Sequence, residues 1–182
     1  MWLTTRRNPL CWPLGLVSVL LYGWVFYGAR LYSDALLQVV YAALECYGWW
    51  CWRRARSADH DAGAGAGAGT AAPARPQVRV PARTQVLGPL AVGALGAVLL
   101  GELASRYTDA AVPWLDAALT AFSLVAQYWM ARLYRLNWLL WIAVDVVYVG
   151  LYGSRQLPVT AVLYAGFLVL AVLGWQRWGP QR

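Results

Sequence analysis

Long apolar runs, separated by short polar or proline-containing segments, make up most of the chain. A membrane-spanning helix needs about 20 mostly apolar residues, and six segments reach or approach that length. They are Leu10–Leu31, Ala35–Trp52, Val86–Ala104, Val112–Ala131, Trp138–Gly153 and Val159–Trp178. Several end in Trp or Tyr, as helices do at membrane interfaces. The pattern predicts an all-α, polytopic transmembrane helix bundle.

The spacing of these runs also divides the chain. Alternating Ala and Gly between Gly63 and Gly69, followed by prolines, predict a flexible cytoplasmic linker. We therefore divide the chain into a first transmembrane repeat of two helices (1–56), the linker (57–83), a connector helix and loop (84–109) and a second repeat of three helices (110–182).

Composition excludes a water-soluble globule, because 60% of the residues are hydrophobic and only 13% are charged, against about 25% in soluble domains. The net charge of +7 comes from arginine alone. These arginines lie between apolar runs and form no basic face, so no nucleic-acid partner is expected. One histidine and three cysteines without metal-ligand spacing predict no metal and no cofactor.

Arginine placement predicts the orientation. Three arginines, Arg30, Arg106 and Arg155, would lie on one side of the membrane, and the other twelve on the opposite side. Because arginine is enriched on the cytoplasmic side, the second set predicts a multi-pass protein of the cell membrane with both termini of this chain in the cytoplasm.

Three of the predicted helices carry a row of polar or aromatic residues spaced by four and three, which places each row on one helix face. The rows are Asp34, Gln38, Tyr41 and Glu45 in the second span; Asp116, Thr120, Ser123 and Gln127 in the fourth; and Trp138, Trp141, Asp145, Tyr148 and Tyr152 in the fifth. A carboxylate near the bilayer centre costs roughly 2.5–3.5 kcal/mol, so Glu45 and Asp145 are expected to face the protein interior.

The row around Asp145 predicts a ligand site. Aromatic rings beside a carboxylate suit a flat cationic ligand, because the rings stack on it and the carboxylate complements its charge. The alternative is that the rows only hydrogen-bond one helix to another, as polar residues often do in membrane bundles.

The chain also contains a weak internal sequence repeat at an offset of 126 residues. The shift superposes Trp12 on Trp138 and Tyr22 on Tyr148, and it brings Gly48-Trp49 onto Gly174-Trp175. A repeat in the same direction predicts two parallel structural repeats, a known transporter design.

Two motifs resemble those of the PnuC-type vitamin transporter family. Tyr47-Gly48-Trp49-Trp50-Cys51-Trp52 resembles its YGWxxW signature, and Asn137-Trp138-Leu139-Leu140-Trp141 followed by Asp145 resembles its NWxxWxxxN/D motif. The resemblance covers most of the chain outside the Ala-Gly linker.

The resemblance implies a SWEET-like three-plus-one-plus-three bundle, a homotrimer, and facilitated diffusion of nicotinamide riboside that a cytoplasmic kinase traps by phosphorylation. Carried over by motif, Trp138 and Trp141 would line the site and Asp145 would contact the ligand. The polar rows add Tyr148, Gln38, Tyr41, Glu45 and Gln127 as candidate substrate-binding residues.

Two departures from the family pattern matter. Nicotinamide riboside carriers often have Asn at the position of Asp145, and a carboxylate would favour any cation, so thiamine stays an alternative and neutral riboflavin suits the site less. The family's first helix is also absent, and Trp2–Thr5 resembles its last turn. We therefore expect a start codon assigned too late and a native protein with seven spans.

Two other classes were weighed against a carrier. A membrane enzyme using Asp145 and Glu45 as acid and base would need a nucleophile or metal ligands, and the lone His60 lies in the linker. A non-transporting membrane subunit would use the tryptophans for packing only. Transport coupled to protons through Glu45 or Asp145 also stays open.

Overall fold

A computed structural model describes residues 1–64, 76–108 and 112–179. These residues form seven helices: α1 (Trp2–Thr5), α2 (Cys11–Gly28), α3 (Tyr32–Ala64), α4 (Arg83–Tyr107), α5 (Pro113–Ala131), α6 (Asn137–Ser154) and α7 (Pro158–Arg177). Helices α2 to α7 correspond to the six predicted spans, so the all-α bundle is confirmed.

The structure differs from the predicted linker (57–83) at both ends of that segment. Helix α3 does not end near Trp52 but continues to Ala64, because Arg53–Ala58 holds mainly Ala and Arg, which favour helix. The Ala-Gly core of the linker, at residues 65–75, lies outside the described residues.

The last part of the predicted linker, residues 76–82, is an extended segment that we call the strap. Pro76 is buried, and the backbone N–H of Arg79 donates to the carbonyl oxygen of Leu133 at 2.9 Å. The strap ends at Ala82, whose N–H donates to Oε1 of Gln85 in the first turn of α4. These contacts attach the strap to the segment between α5 and α6 and to the start of α4.

The six long helices form two packed pairs, with one helix between the pairs and one on the outside. Helix α2 packs on α3, α6 packs on α7, α5 contacts both α3 and α6, and α4 packs on the outside of α5. Within the described residues, three helices are long and apolar enough to cross a membrane: α2, α4 and α7. The other three long helices, α3, α5 and α6, are those that carry the polar rows.

The backbone repeats at the predicted shift of 126 residues. Helix α2 maps onto α6 end for end, and the start of α3 maps onto the start of α7. The described non-glycine residues with positive φ form two pairs at the same shift, Arg7 with Leu133 and Arg30 with Gln156. Each follows a helix end and reverses the chain there. By the same shift, α1 corresponds to the last turn of α5.

Candidate functional site

The polar rows of α3 and α5 meet inside the bundle. The side-chain amide Nε2 of Gln127 donates to Oε1 of Glu45 at 2.9 Å, and both side chains are buried. This bond joins two predicted site residues from different helices. It gives the Glu45 carboxylate a hydrogen-bond donor in a region where a charge without one is costly.

Glu45 has room because α2 has a glycine opposite it. A Cβ on Gly15 would lie 2.5 Å from Oε2 of Glu45, which is closer than real Cβ contacts. Gly15 could not be identified from the sequence, because a single glycine in an apolar span gives no signal unless the facing residue is known.

Asp145 is the most deeply buried carboxylate in the described part of the chain, with 1% of its surface exposed. Its Oδ2 has no hydrogen-bond partner among the described residues, and neither has the indole Nε1 of Trp141, one turn earlier on α6. One face of α6 thus carries a buried acceptor and a buried donor that have no partner among the described residues, which is unusual for buried polar groups.

A stack of tyrosines continues the α6 row beyond Asp145. The Tyr148 ring stacks on Tyr164 of α7 with centroids 4.5 Å apart, and Tyr152 stacks on the same ring at 5.3 Å. The sequence analysis missed Tyr164, although the 126-residue shift that maps Gln38 onto it could have identified it.

The remaining row residues of α3 lie at two different places. Tyr41 interacts with Ser123 of α5 and, at longer range, with Tyr164 of α7, so it lies near the tyrosine stack. Gln38 packs against Gly23 of α2, since a Cβ added to Gly23 would lie 3.4 Å from the Cβ of Gln38. The described contacts therefore connect Tyr41 with the central site and place Gln38 on the α2 side of α3.

Trp138 lies in a packed cluster rather than beside Asp145. It is fully buried, packs over Gly174 of α7, and makes an edge-to-face contact with Trp178 at 5.4 Å. Trp138 and Asp145 are seven positions apart on α6, which is about 10 Å along the helix axis. Its role in substrate binding stays a prediction, and its packing gives it a structural role as well.

The repeat produces the same arrangement in the first half. Trp12 packs over Gly48 of α3 and makes an edge-to-face contact with Trp52, also at 5.4 Å. Trp52 and Trp178 then meet at 6.0 Å. We call these four residues, Trp12, Trp52, Trp138 and Trp178, the tryptophan cluster.

Two hydrogen bonds related by the same shift connect the halves at this cluster. Nε1 of Trp52 donates to the carbonyl oxygen of Met130 at 3.1 Å, and Nε1 of Trp178 donates to the carbonyl oxygen of Thr4 at 3.3 Å. Each half thus donates one indole N–H to the other. The cluster closes the bundle at the end where most arginines lie, which we call the arginine-rich end.

This arrangement suits binding and not covalent chemistry. The interior offers a carboxylate, a carboxylate–amide pair and stacked aromatic rings, which can hold a polar aromatic molecule. Among the described residues, no group of three His, Cys, Asp or Glu side chains could hold a metal ion.

The chain is similar to known membrane transporters along most of its length. A family model described as "Nicotinamide mononucleotide transporter" matches residues 1–179. The nicotinamide riboside transporter PnuC of Escherichia coli is 26% identical over 175 residues, which cover 90% of this chain and 73% of that protein. The riboflavin/roseoflavin transporter RibM of Streptomyces davaonensis is 29% identical over 174 residues, covering 95% and 76%.

A solved structure agrees with the fold. The crystal structure of the vitamin B3 transporter PnuC matches with a TM-score of 0.68 and 26% identity, over 96% of this chain and 73% of that one. These are transporters, so the expectation that the chain is not an enzyme is confirmed. The chain belongs to the nicotinamide mononucleotide transporter family and is a PnuC-type, multi-pass membrane transporter.

Proposed function

We propose that this chain carries nicotinamide riboside across the cell membrane by facilitated diffusion. The family resemblance supports a vitamin substrate, and PnuC of Escherichia coli is named for nicotinamide riboside. Nicotinamide riboside is a flat, cationic, aromatic nucleoside, the class of ligand that the residues beside Asp145 suit.

The observation that carries the proposal is the buried carboxylate of Asp145. Its Oδ2 lacks a hydrogen-bond partner among the described residues and lies on the face of α6 that also carries Trp141 and Tyr148. A pyridinium ring stacked on these aromatic rings would bring its positive charge to the carboxylate. Glu45 and Gln127 would then provide polar contacts to the ribose hydroxyl groups.

RibM supports a second candidate, because this relative is named for riboflavin and is as similar as PnuC. A neutral flavin would gain nothing from the Asp145 charge. Thiamine is a third candidate because it is a cation. Nicotinamide riboside is preferred because a PnuC relative is named for it and because its positive charge complements the Asp145 carboxylate.

We propose alternating access as the mechanism, with α2 and α3 rocking against α5 to α7 around the buried site. The tryptophan cluster would be the gate at the arginine-rich end, since its two indole bonds join the moving halves. The arginine count supports placing this end and both described chain ends in the cytoplasm. There a kinase would phosphorylate the entering nucleoside and prevent its return. A homotrimer, as in the family, is the expected assembly.

Uptake of radiolabelled nicotinamide riboside into proteoliposomes tests the proposal. Asp145→Ala removes both the charge and the hydrogen-bonding oxygens of this side chain, and charged hydrogen bonds contribute about 1.5–3 kcal/mol, so uptake at low substrate should fall by about tenfold or more. Asp34→Ala is the matched control, because Asp34 is exposed at the start of α3, and it should leave uptake unchanged.

Competition identifies the vitamin. Excess unlabelled nicotinamide riboside should suppress uptake more strongly than thiamine or riboflavin, and uptake should reach equal concentrations on both sides without an ion gradient. Stronger competition by riboflavin would reassign the substrate. Unchanged uptake by Asp145→Ala would contradict the role of the carboxylate.

A further inference from the structure

A cavity separate from the buried site lies at the arginine-rich end, between α3, the strap and the segment after α5. Its volume is about 440 Å³, within the usual range for small-molecule sites. Three arginines line it, each from a different segment: Arg54 from α3, Arg79 from the strap and Arg132 from the end of α5. Tyr47 and Trp50 add aromatic surface.

Among the described residues, the three arginines have no acidic partner in this cavity. Within the described residues the cavity lining contains no carboxylate, and the ion pair that those residues form, Arg106 with Glu102, lies near the end of α4, towards the opposite end of the bundle. Three positive charges around one concavity repel one another, so an anion in the cavity would relieve a cost that the folded protein otherwise carries.

Arg132 is the fixed member of the three. Its Nη1 donates to the hydroxyl of Tyr47 at 3.2 Å, while its buried Nε–H has no partner among the described residues. Hydrogen bonding to Tyr47 raises the pKa of Arg132 further above its ordinary value, so the guanidinium stays charged. A buried, unpaired N–H of a charged group is the kind of donor that phosphate oxygens accept from.

The other two arginines are held at the rim. Arg54 lies over the Trp50 ring, 5.4 Å from its centroid. The backbone N–H of Arg79 donates to the carbonyl oxygen of Leu133 and holds this residue in place. The side chain of Arg79 is exposed and takes no part in that bond. The three guanidinium groups thus come from segments that are anchored independently of any anion.

We propose that this cavity binds a phosphate monoester or diester, with Arg54, Arg79 and Arg132 holding the phosphate and Trp50 and Tyr47 contacting the attached group. The source is a phosphorylated nucleoside or the headgroup of an anionic lipid. An occupied cavity would hold the strap against α3 and α5. Its ligand would therefore bias the movement of the two halves, whichever vitamin the buried site carries.

Equilibrium dialysis of radiolabelled AMP against the full chain in phosphatidylcholine nanodiscs tests the proposal, with adenosine as the uncharged counterpart. AMP should bind saturably and adenosine at least about tenfold more weakly. Arg79→Gln and Arg132→Gln should each weaken AMP binding by about tenfold, the loss of one charge-assisted hydrogen bond. Arg79→Gln keeps the backbone bond to Leu133 and should fold even if Arg132→Gln does not.

Arg53→Gln is the matched control. It removes the same charge from the neighbouring position of α3, but Arg53 lies over Trp49 and does not line the cavity, so AMP binding should stay within about twofold. Nanodiscs in which about a third of the lipid is phosphatidylglycerol identify the source. If AMP does not bind but phosphatidylglycerol raises the melting temperature of the wild type and not of Arg79→Gln, the ligand is the lipid headgroup.

Two results would overturn the proposal. Adenosine binding as tightly as AMP would show that the phosphate is not recognised. The second result is that Arg79→Gln and Arg53→Gln respond equally to AMP and to phosphatidylglycerol. The arginines of the cavity would then contribute only to the general charge of the surface. Neither result depends on transport by the buried site.

Discussion

Single residues decide where charge can lie inside this bundle. Glu45 is buried next to α2 because Gly15 has no side chain, and Gln127 supplies the donor that its carboxylate needs. Asp145 has no such donor among the described residues. One buried carboxylate therefore has a hydrogen-bond donor within the protein, while the other has none among the described residues.

Gly15→Ala tests the space available to Glu45. Its Cβ would overlap the carboxylate, so the end of the Glu45 side chain must turn away and weaken its bond to Gln127. We expect a loss of stability of about 0.6–1.7 kcal/mol, the range for a hydrogen bond between membrane helices, measured as thermal unfolding in detergent. Gly150→Ala is the control, since nothing lies within 4 Å of a Cβ there, and it should be neutral or stabilising by up to about 1 kcal/mol.

A double mutant separates overlap from a general effect of alanine in α2. In the Glu45→Ala background the overlapping carboxylate is gone, so the cost of Gly15→Ala should largely disappear, giving a coupling between the two positions. An equal cost in both backgrounds would contradict the proposed contact.

At the scale of elements, each repeat contains a helix pair in which a tryptophan lies on a glycine. Trp12 of α2 packs on Gly48 of α3, and Trp138 of α6 packs on Gly174 of α7. Glycine lets the indole ring approach the helix backbone, as small residues do at helix interfaces in membranes. The pairs α2–α3 and α6–α7 are therefore two versions of one packing unit.

Gly48→Ala and Gly174→Ala should each destabilise the protein by a similar amount, because a Cβ at either position would overlap the facing indole ring. We expect about 1–3 kcal/mol for each, the usual cost of overpacking. Gly166→Ala on α7 faces no atom within 4 Å and should cost little. A large loss for only one of the pair would argue against equivalent packing units.

At the scale of the molecule, the two halves hold each other at the arginine-rich end. Trp52 donates to Met130 of the second half and Trp178 donates to Thr4 of the first. The exchange is reciprocal because the two bonds are related by the repeat. Contacts between the halves therefore add to the ring contacts within each half at the arginine-rich end.

Trp52→Phe and Trp178→Phe each remove one indole donor and keep most of the ring. Hydrogen bonds between membrane helices contribute about 0.6 kcal/mol on average, and the abandoned carbonyl adds to the cost, so we expect a loss of about 1 kcal/mol for each. Because the two rings also touch, the double variant should deviate from additivity. Trp24→Phe, at a site 81% exposed, is the control and should not change the melting temperature.

The sequence alone determined the elements and their relation. Apolar runs of spanning length predicted α2 to α7, because the bilayer fixes the length of an apolar helix. The 126-residue shift from Trp12 to Trp138 predicted the repeat, and the ends of α2 and α6 match at this same shift. The polar rows predicted which faces of α3, α5 and α6 turn inward, since buried polar groups must meet one another.

Which row residues meet depends on how the helices pack. This packing paired Glu45 with Gln127, left Asp145 unpaired among the described residues, placed Trp138 in the tryptophan cluster, and brought Tyr164 to Tyr148. It also joined Arg54, Arg79 and Arg132, which are far apart in the chain, around one cavity. Periodicity fixes the face on which a residue lies, but contacts depend on how deep and at what angle the neighbouring helix crosses, and that is set by packing of the whole bundle.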